Sequence, residues 1–355
     1  MGDWIKMANN SGGLGWVEKL LALWIFLCII IGLAIGKYFP EFSQNLAIGI
    51  PIGLFLMIYP AMTKIELGEL KDAFKSKKQV AIIVFFNYFV NPFLLYFIGW
   101  IFFEQILLGL GWITAETASY LWTGLILLGV APCIAMVLVW TDLAKGNGPL
   151  GIVLMAWNSI IQIFTTPFYI ALLVGTYIAI DFVLIAQSVL LYLGLPLLFG
   201  VITRREVIKR KGVEWLNTKL IPRFNVLQLL ALLFTMVVMF SLKGEVIIDN
   251  PSIIWQMAIP ITLFFFLLFH LVYYSTRRMG YNYEDSATMG FHCTGRNFEL
   301  AIAIALTAFA STPMVAVSTV VGPLIEIPVM LAIVWLSLRR RDKIIQQGKT
   351  LGSPT

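Results

Sequence analysis

Two apolar stretches, residues 120–140 (YLWTGLILLGVAPCIAMVLVW) and residues 287–309 (ATMGFHCTGRNFELAIAIALTAF), are each interrupted near their middle. Pro132-Cys133 interrupts the first stretch, and Gly295-Arg296-Asn297 interrupts the second. Inside a membrane, a helix break leaves backbone N–H and C=O groups without partners, which is energetically costly in hydrocarbon. The two breaks therefore predict a place where backbone groups meet each other or a polar ligand.

The composition indicates a membrane protein. Of the 355 residues, 59% are hydrophobic and only 12% are charged, and the mean hydropathy is +0.88. Segments of roughly 20 apolar residues are needed to cross a bilayer. The segments that approach this length are residues 20–38, 46–62, 80–103, 120–140, 149–177, 182–202, 222–242, 253–274, 287–309 and 315–338. The sequence thus predicts an all-α polytopic membrane protein with ten transmembrane helices.

The distribution of Lys and Arg agrees with this topology, because cytoplasmic loops keep an excess of positive charge. Of the 25 basic residues, all except Lys37, Lys243 and Arg296 fall at one end of the ten predicted spans. We therefore expect a multi-pass protein of the plasma membrane, or of the inner membrane in a Gram-negative cell, with both termini in the cytoplasm. The net charge of +6 lies mainly in runs beside the spans, which are typical of contact with anionic lipid and not of nucleic-acid binding.

The two halves of the chain have matching patterns. Five spans precede Asp181 and five follow it, so the second half must insert with the opposite orientation. Residues 1–180 and 181–355 are then two inverted five-helix repeats, as in many secondary transporters. If Leu20 corresponds to Phe182, Cys133 corresponds to Gly295, and broken helices four and nine are expected to cross near the middle of the membrane.

Cys133 and Glu299 are the side chains best suited to chemistry at this crossing. Cys133 follows Pro132 at the start of a half-helix, whose positive end stabilises a thiolate, although most buried thiols serve only as small apolar groups. Glu299 lies in the first turn after Asn297, where an acid must be protonated, paired or wetted. A carboxyl group in this position is a candidate for carrying a proton.

Other polar side chains inside the predicted spans add to the candidate site. Arg296 is a charge partner for either Glu299 or Glu326, and a purely structural ion pair is an equal alternative. Asn91, Asn158 and Asn297 could bind a ligand or bridge helices. The three cysteines match neither a zinc site nor a disulfide framework, and no phosphate-binding loop is present. We expect no cofactor, no enzymatic activity and no required ATPase subunit, so the energy would come from an ion gradient.

Five short motifs resemble those of a known family. In chain order they are Met57-Ile58-Tyr59-Pro60 with Lys64, Asn87-Tyr88 with Pro92, residues 131–137, residues 297–301 and residues 321–330. They are similar to motifs of the arsenite efflux permeases, within the bile acid, arsenite and riboflavin transporter superfamily. Arg296 departs from the pattern, in which a small or amide residue is expected, and Cys293 is an additional thiol.

This resemblance implies export of arsenite, and in some members antimonite, in exchange for protons. It assigns arsenic(III) binding to Cys133 and proton coupling to Glu299, and Glu299 would also take part in binding the substrate. If Arg296 holds Glu299 ionised, Glu326 is the next proton carrier to test. It also implies a panel of spans one, two, six and seven against which the remaining core spans move. The alternatives are a sodium-coupled organic-anion symporter of the bile acid type and a membrane receptor that binds a ligand without moving it.

Overall fold

The computed structural model describes residues 21–65, 76–134, 136–175 and 181–351, and the regular structure of these residues is helical. The helices are α1 (Leu21–Tyr38), α2 (Pro40–Leu46), α3 (Gly49–Met62), α4 (Lys77–Leu108), α5 (Ala115–Val130), α6 (Met136–Leu143), α7 (Gly148–Val174), α8 (Phe182–Val189), α9 (Leu195–Trp215), α10 (Ile221–Asp249), α11 (Ser252–Arg278), α12 (Tyr283–Thr294), α13 (Phe298–Ala308) and α14 (Pro313–Leu351).

Several of these helices are long and apolar enough to cross a membrane. Among the described residues they number five, or six if α2 and α3, which are bent by 46°, form one span. The five are Lys77–Leu108, Gly148–Val174, Phe182–Leu242, Ser252–Arg278 and Pro313–Gln346. The prediction of an all-α chain with several membrane-length helices is confirmed. The count of ten spans and the inverted repeat stay predictions.

The segment between predicted spans six and seven is helical apart from Gly212, although its basic composition is typical of a cytoplasmic loop. α9 continues to Trp215, and a π-helical turn, Leu216–Leu220, leads into α10. Gly212 interrupts α9 with a φ of 83°, a conformation that a residue without a Cβ adopts readily. Arg and Lys are good helix formers, so the charge that marks this segment as cytoplasmic does not prevent it from being helical.

One group of helices is organised around α10, which packs against α1 and α3. α9 also packs against α3, and the Tyr59 hydroxyl lies 2.9 Å from that of Thr203. Small residues allow the close approach of α1 and α10. A Cβ added at Gly32 would lie 2.7 Å from the Val237 carbonyl oxygen and 2.8 Å from Phe240 Cβ. Interfaces of small residues are a common basis of helix association in membranes.

The second group of helices surrounds the two breaks. α11 packs against α12 and α14, while α5 packs against α4, α7 and α14. The breaks lie between α5 and α6 and between α12 and α13. α13 also contacts α3 and α8, so the crossing is close to the helices organised around α10.

Replacing Gly32 with alanine is expected to loosen the contact between α1 and α10. The new methyl group has no room beside the Val237 carbonyl, and overpacking of this kind costs about 1–3 kcal/mol. The melting temperature of the purified protein should fall. Gly148→Ala is the control, because its Cβ would meet only Asp142 Oδ1, at 3.7 Å. Equal melting temperatures for the two variants would contradict the close packing.

Candidate functional site

The two breaks are joined by backbone hydrogen bonds. The Cys133 N–H donates to the Gly295 carbonyl at 2.9 Å, and the Asn297 N–H donates to the Ala131 carbonyl at 2.8 Å. Pro132 and Arg296 thereby form an isolated antiparallel β-bridge. We call residues 131–133 and 295–297 the crossing. Each interrupted segment supplies one backbone N–H donor and one carbonyl acceptor to the other segment.

Local sequence explains why each of these two segments is extended at the crossing. The residue before a proline is disfavoured in the helical region, and Ala131 accordingly has φ −112° and ψ 106°. In the second segment, Gly295 ends α12 with ψ 138°. A side chain at Gly295 would be crowded, since its Cβ would lie 3.1 Å from Cys133 Cβ. The absence of a side chain at this position therefore permits the close approach.

Arg296 binds the carboxyl-terminal ends of both half-helices that enter the crossing. Its Nε donates to the Thr294 carbonyl at 3.0 Å, and its Nη1 donates to the Gly129 carbonyl at 3.0 Å. Its Nη2 donates to Asn87 Oδ1 at 3.1 Å and to the Cys293 carbonyl. The last carbonyls of a helix have no intrahelical donor, and the guanidinium supplies donors to three of them.

The structure therefore corrects the sequence expectation for Arg296. The ion pairs within 4.0 Å among the described residues do not include Arg296, so it is salt-bridged to neither Glu299 nor Glu326. Spacing along the chain suggested a helical pair with Glu299. α13 begins only at Phe298, and the guanidinium reaches back to α5 and α12 instead.

The intramembrane amides complete the hydrogen bonding of these helix ends. Asn91 Nδ2 donates to the Gly129 carbonyl at 2.7 Å. Asn87 Nδ2 donates to Asn158 Oδ1 at 3.1 Å and to the His292 carbonyl at 3.2 Å, and Asn158 Nδ2 is 3.5 Å from the same carbonyl. Asn91 and Asn158 thus serve as helix bridges here, although Asn91 Oδ1 is buried without a partner.

Cys133 lies at the amino-terminal end of α6, as the sequence analysis expected. Its side chain is buried, and the backbone N–H groups of Met136 and Val137 face the thiol. Both Glu299 and Glu326 are near enough to interact with it electrostatically. The thiol therefore lies near helix-end N–H groups and within electrostatic range of two carboxyl groups.

Glu299 and Asn297 occupy the start of α13. Asn297 is the N-cap of this helix, because its Oδ1 accepts from the Leu300 N–H at 3.0 Å. Glu299 follows in the first turn and is 4% exposed. Anionic groups are stabilised at this end of a helix. The start of α13 consequently stabilises the ionised form of this buried carboxyl group.

Glu326 approaches the crossing from α14. It is 2% exposed, its Oε1 has no hydrogen-bond partner, and the Arg296 backbone N–H faces its carboxyl group. Together with Gly129 and Phe264, Arg296 and Glu326 line a cavity of about 10 Å³. That volume is close to the minimum for one water molecule. The accessible lining of the cavity is apolar, and Glu326 Oε1 lies buried beside it without a partner.

Asn87, Gln162 and His292 are further buried polar residues, and of these Asn87 bonds directly to Arg296. Asn87 connects Arg296 to Asn158, while both amide atoms of the buried Gln162 lack partners. His292 Nδ1 and Nε2 each lie 2.9 Å from a carbonyl oxygen, those of Thr288 and Gly151. The polarity of these residues within apolar spans was the available signal. Their spacing along the sequence could not distinguish them from amide side chains that only bridge helices.

Asn297→Ala should destabilise the protein more than loss of an ordinary N-cap does. The Leu300 N–H would lose its acceptor in a buried place, whereas caps elsewhere are worth about 1 kcal/mol. Asn282→Ala is the matched control, because Asn282 caps α12 at an exposed position where water can replace it. Thermal unfolding measures both variants. An equal drop in melting temperature would argue against a dry crossing.

Comparison with known proteins identifies the family. The Sodium Bile acid symporter family matches residues 51–250. Two arsenical-resistance proteins named Acr3 are each 33% identical to this chain. The match to the Alkaliphilus metalliredigens protein covers 95% of this chain and 96% of that protein, and the match to the Corynebacterium glutamicum protein covers 96% and 94%. An uncharacterized transporter of Synechocystis sp. is 36% identical over 93% of this chain and 90% of its own length. The resemblance noted from the motifs is confirmed, and the chain belongs to the sodium bile acid symporter family and, within it, to the family of the Acr3 arsenical-resistance proteins.

Proposed function

We propose that this protein exports arsenite from the cell in exchange for protons. It is a secondary transporter and not an enzyme, as its families are. The Acr3 relatives match it over nearly their whole length, which supports arsenite as the substrate. The observation that carries the mechanism is the thiol of Cys133 at the crossing, facing the amino-terminal end of α6 and near two carboxyl groups.

Arsenous acid is a neutral molecule with three hydroxyl groups on a thiophilic centre. A single thiol can replace one hydroxyl: the sulfur–arsenic bond forms, the arsenic–oxygen bond breaks, and the thiol proton leaves with the hydroxyl as water. Water reverses the exchange on the other side of the membrane. Among the described residues no cluster of three or more His, Cys, Asp or Glu side chains could hold a metal ion. Binding through one thiol stays weak enough for release.

The polar side chains around Cys133 would recognise the remaining hydroxyl groups. Asn297 lies in the crossing itself, and Asn91 has a free acceptor oxygen. Asn158 is linked to the same amide network through Asn87. Antimonite has the same trihydroxide form, and we propose it as a second substrate of this site.

Glu299 and Glu326 are the proposed proton carriers. Both are buried and interact electrostatically with each other and with Cys133, so protonation of one favours a different arrangement of the site. A neutral substrate only equilibrates unless its movement is linked to an energised ion. Each proton that enters contributes about 2.3 kcal/mol per 100 mV of membrane potential.

Alternating access would come from movement between two groups of spans. We propose ten spans in two inverted repeats, residues 1–180 and 181–355, with both termini in the cytoplasm of the plasma membrane or of the Gram-negative inner membrane. Spans one, two, six and seven would form a panel, and the remaining spans a core. The packing of α10 against α1 and α3 supports that panel. The breaks of helices four and nine belong to the core.

A sodium-coupled organic-anion symporter is the second candidate, because the matched family is described by sodium and bile acid. A receptor that binds without transport is the third. Counterflow of arsenite in proteoliposomes, with and without sodium, distinguishes all three. We expect exchange of arsenite without sodium and stimulation by a proton gradient. Absence of any arsenite exchange would contradict the proposed function.

Cys133→Ser should abolish or sharply reduce arsenite uptake into everted membrane vesicles, because a hydroxyl does not bind arsenic as a thiol does. The protein should still reach the membrane in normal amounts. Cys28→Ser is the matched control, since Cys28 is a half-buried thiol on α1, away from the crossing. Wild-type transport by Cys133→Ser would remove this thiol from the mechanism.

Glu299→Gln should uncouple arsenite movement from the proton gradient while preserving the size of the side chain. In everted vesicles, its arsenite transport is expected to lose its response to an imposed pH gradient, while counterflow without a gradient continues. Glu326→Gln is measured in parallel, as the other candidate carrier. If the response to the pH gradient is unchanged in Glu299→Gln and lost in Glu326→Gln, coupling belongs to Glu326.

A further inference from the structure

The surroundings of the Arg296 guanidinium are those of a cation-binding site. Its four hydrogen-bond acceptors are the carbonyl oxygens of Gly129, Cys293 and Thr294 and the amide oxygen of Asn87. These oxygens come from three separate helical elements, α5, α12 and the π-helical turn Phe86–Val90 within α4. They surround the edge of the buried guanidinium, and the oxygens of Cys293 and Asn87 share its Nη2.

The electrostatics of this point favour a positive charge. The ends of α5 and α12 are carboxyl-terminal, so each presents the negative end of its helix dipole. Such half-helix ends, with unwound carbonyls, bind sodium ions in many transporters. Glu326 adds an electrostatic interaction with the guanidinium without forming a salt bridge to it. Removal of the guanidinium would leave the Cys293 and Thr294 carbonyls without their donors, while the Gly129 carbonyl would keep only Asn91 Nδ2.

We propose that Arg296 acts as a covalently attached cation in a site that would otherwise take a sodium ion. The guanidinium keeps its charge at all physiological pH values and supplies five N–H donors in a fixed plane. It therefore holds the two half-helix ends together permanently. The inference concerns ion binding at the crossing, and it stands whether or not arsenite is the substrate.

The test is to remove the guanidinium by substitution of Arg296 and to supply dissolved cations in its place. Arg296→Ser leaves a smaller polar side chain among the same oxygens. The purified full-length variant is compared in sodium chloride, potassium chloride and N-methyl-D-glucamine chloride of equal ionic strength. Its melting temperature should be lowest in N-methyl-D-glucamine and rise by several degrees with added sodium, saturating with concentration. Radioactive sodium should bind to the variant in a one-to-one ratio and not to the wild type.

Two further variants separate a cation site from an ordinary structural arginine. Arg296→Lys retains a charge and should stay insensitive to sodium. Arg340→Ser removes a half-buried guanidinium that lies 2.7 Å from His270 and over the ring of Tyr274, outside any cage of carbonyl oxygens. It should also show no specific response to sodium.

Several outcomes would overturn the proposal. One is an Arg296→Ser protein that is destabilised equally in all three salts and binds no sodium. Another is a sodium response of the same size in Arg340→Ser, which would be a general salt effect. A third is failure to recover Arg296→Ser as folded protein even when sodium is present throughout purification, because the ion would then not fill the place of the guanidinium.

Discussion

The structure depends on the need of every backbone polar group for a partner where water is absent. Two helices are broken inside the apolar interior, and each break would be costly alone. The bonds from the Cys133 N–H to the Gly295 carbonyl and from the Asn297 N–H to the Ala131 carbonyl let the two breaks satisfy each other. Side chains donate to several of the remaining helix-end carbonyls, which explains why Asn87, Asn91 and Asn158 lie in these spans. The polar side chains of the site are thus needed to bond the interrupted helix ends, whatever ligand the site binds.

The crossing also separates the positive amino-terminal ends of two helices from the negative carboxyl-terminal ends of two others. α6 and α13 begin there, and their amino-terminal ends carry Cys133 and Glu299, the groups that benefit from nearby N–H donors. α5 and α12 end there, and their carbonyls surround the guanidinium of Arg296. The proposed exchanging groups, Cys133 and Glu299, lie at one pair of helix ends, while the fixed positive charge lies at the other. Among the described residues, neither Glu299 nor Glu326 forms a salt bridge.

Much of this arrangement could be predicted from residue types alone. Pro132 and Gly295 marked the breaks, and the equal spacing of the two halves suggested that they meet. The partners of Arg296 could not be predicted, because Gly129 lies 167 residues away and the short spacing to Glu299 pointed to a local pair. The helical conformation of residues 203–221 was also missed, since clustered Arg and Lys residues indicate the side of the membrane and not the backbone conformation. For Gln162 the sequence indicated only a polar residue in an apolar span. That both of its amide atoms are buried without partners depends on the packing of the helices.

A guanidinium that belongs to the chain cannot leave during turnover. In the proposed exchange, a dissociable ion in its place would have to be captured and released once in every cycle, and its concentration on each side would limit the return of the carrier. Arg296 would stay with the protein through both halves of that cycle, so its net displacement would be zero and the membrane voltage would do no net work on it. The return of the carrier would then need no bound salt cation on either side.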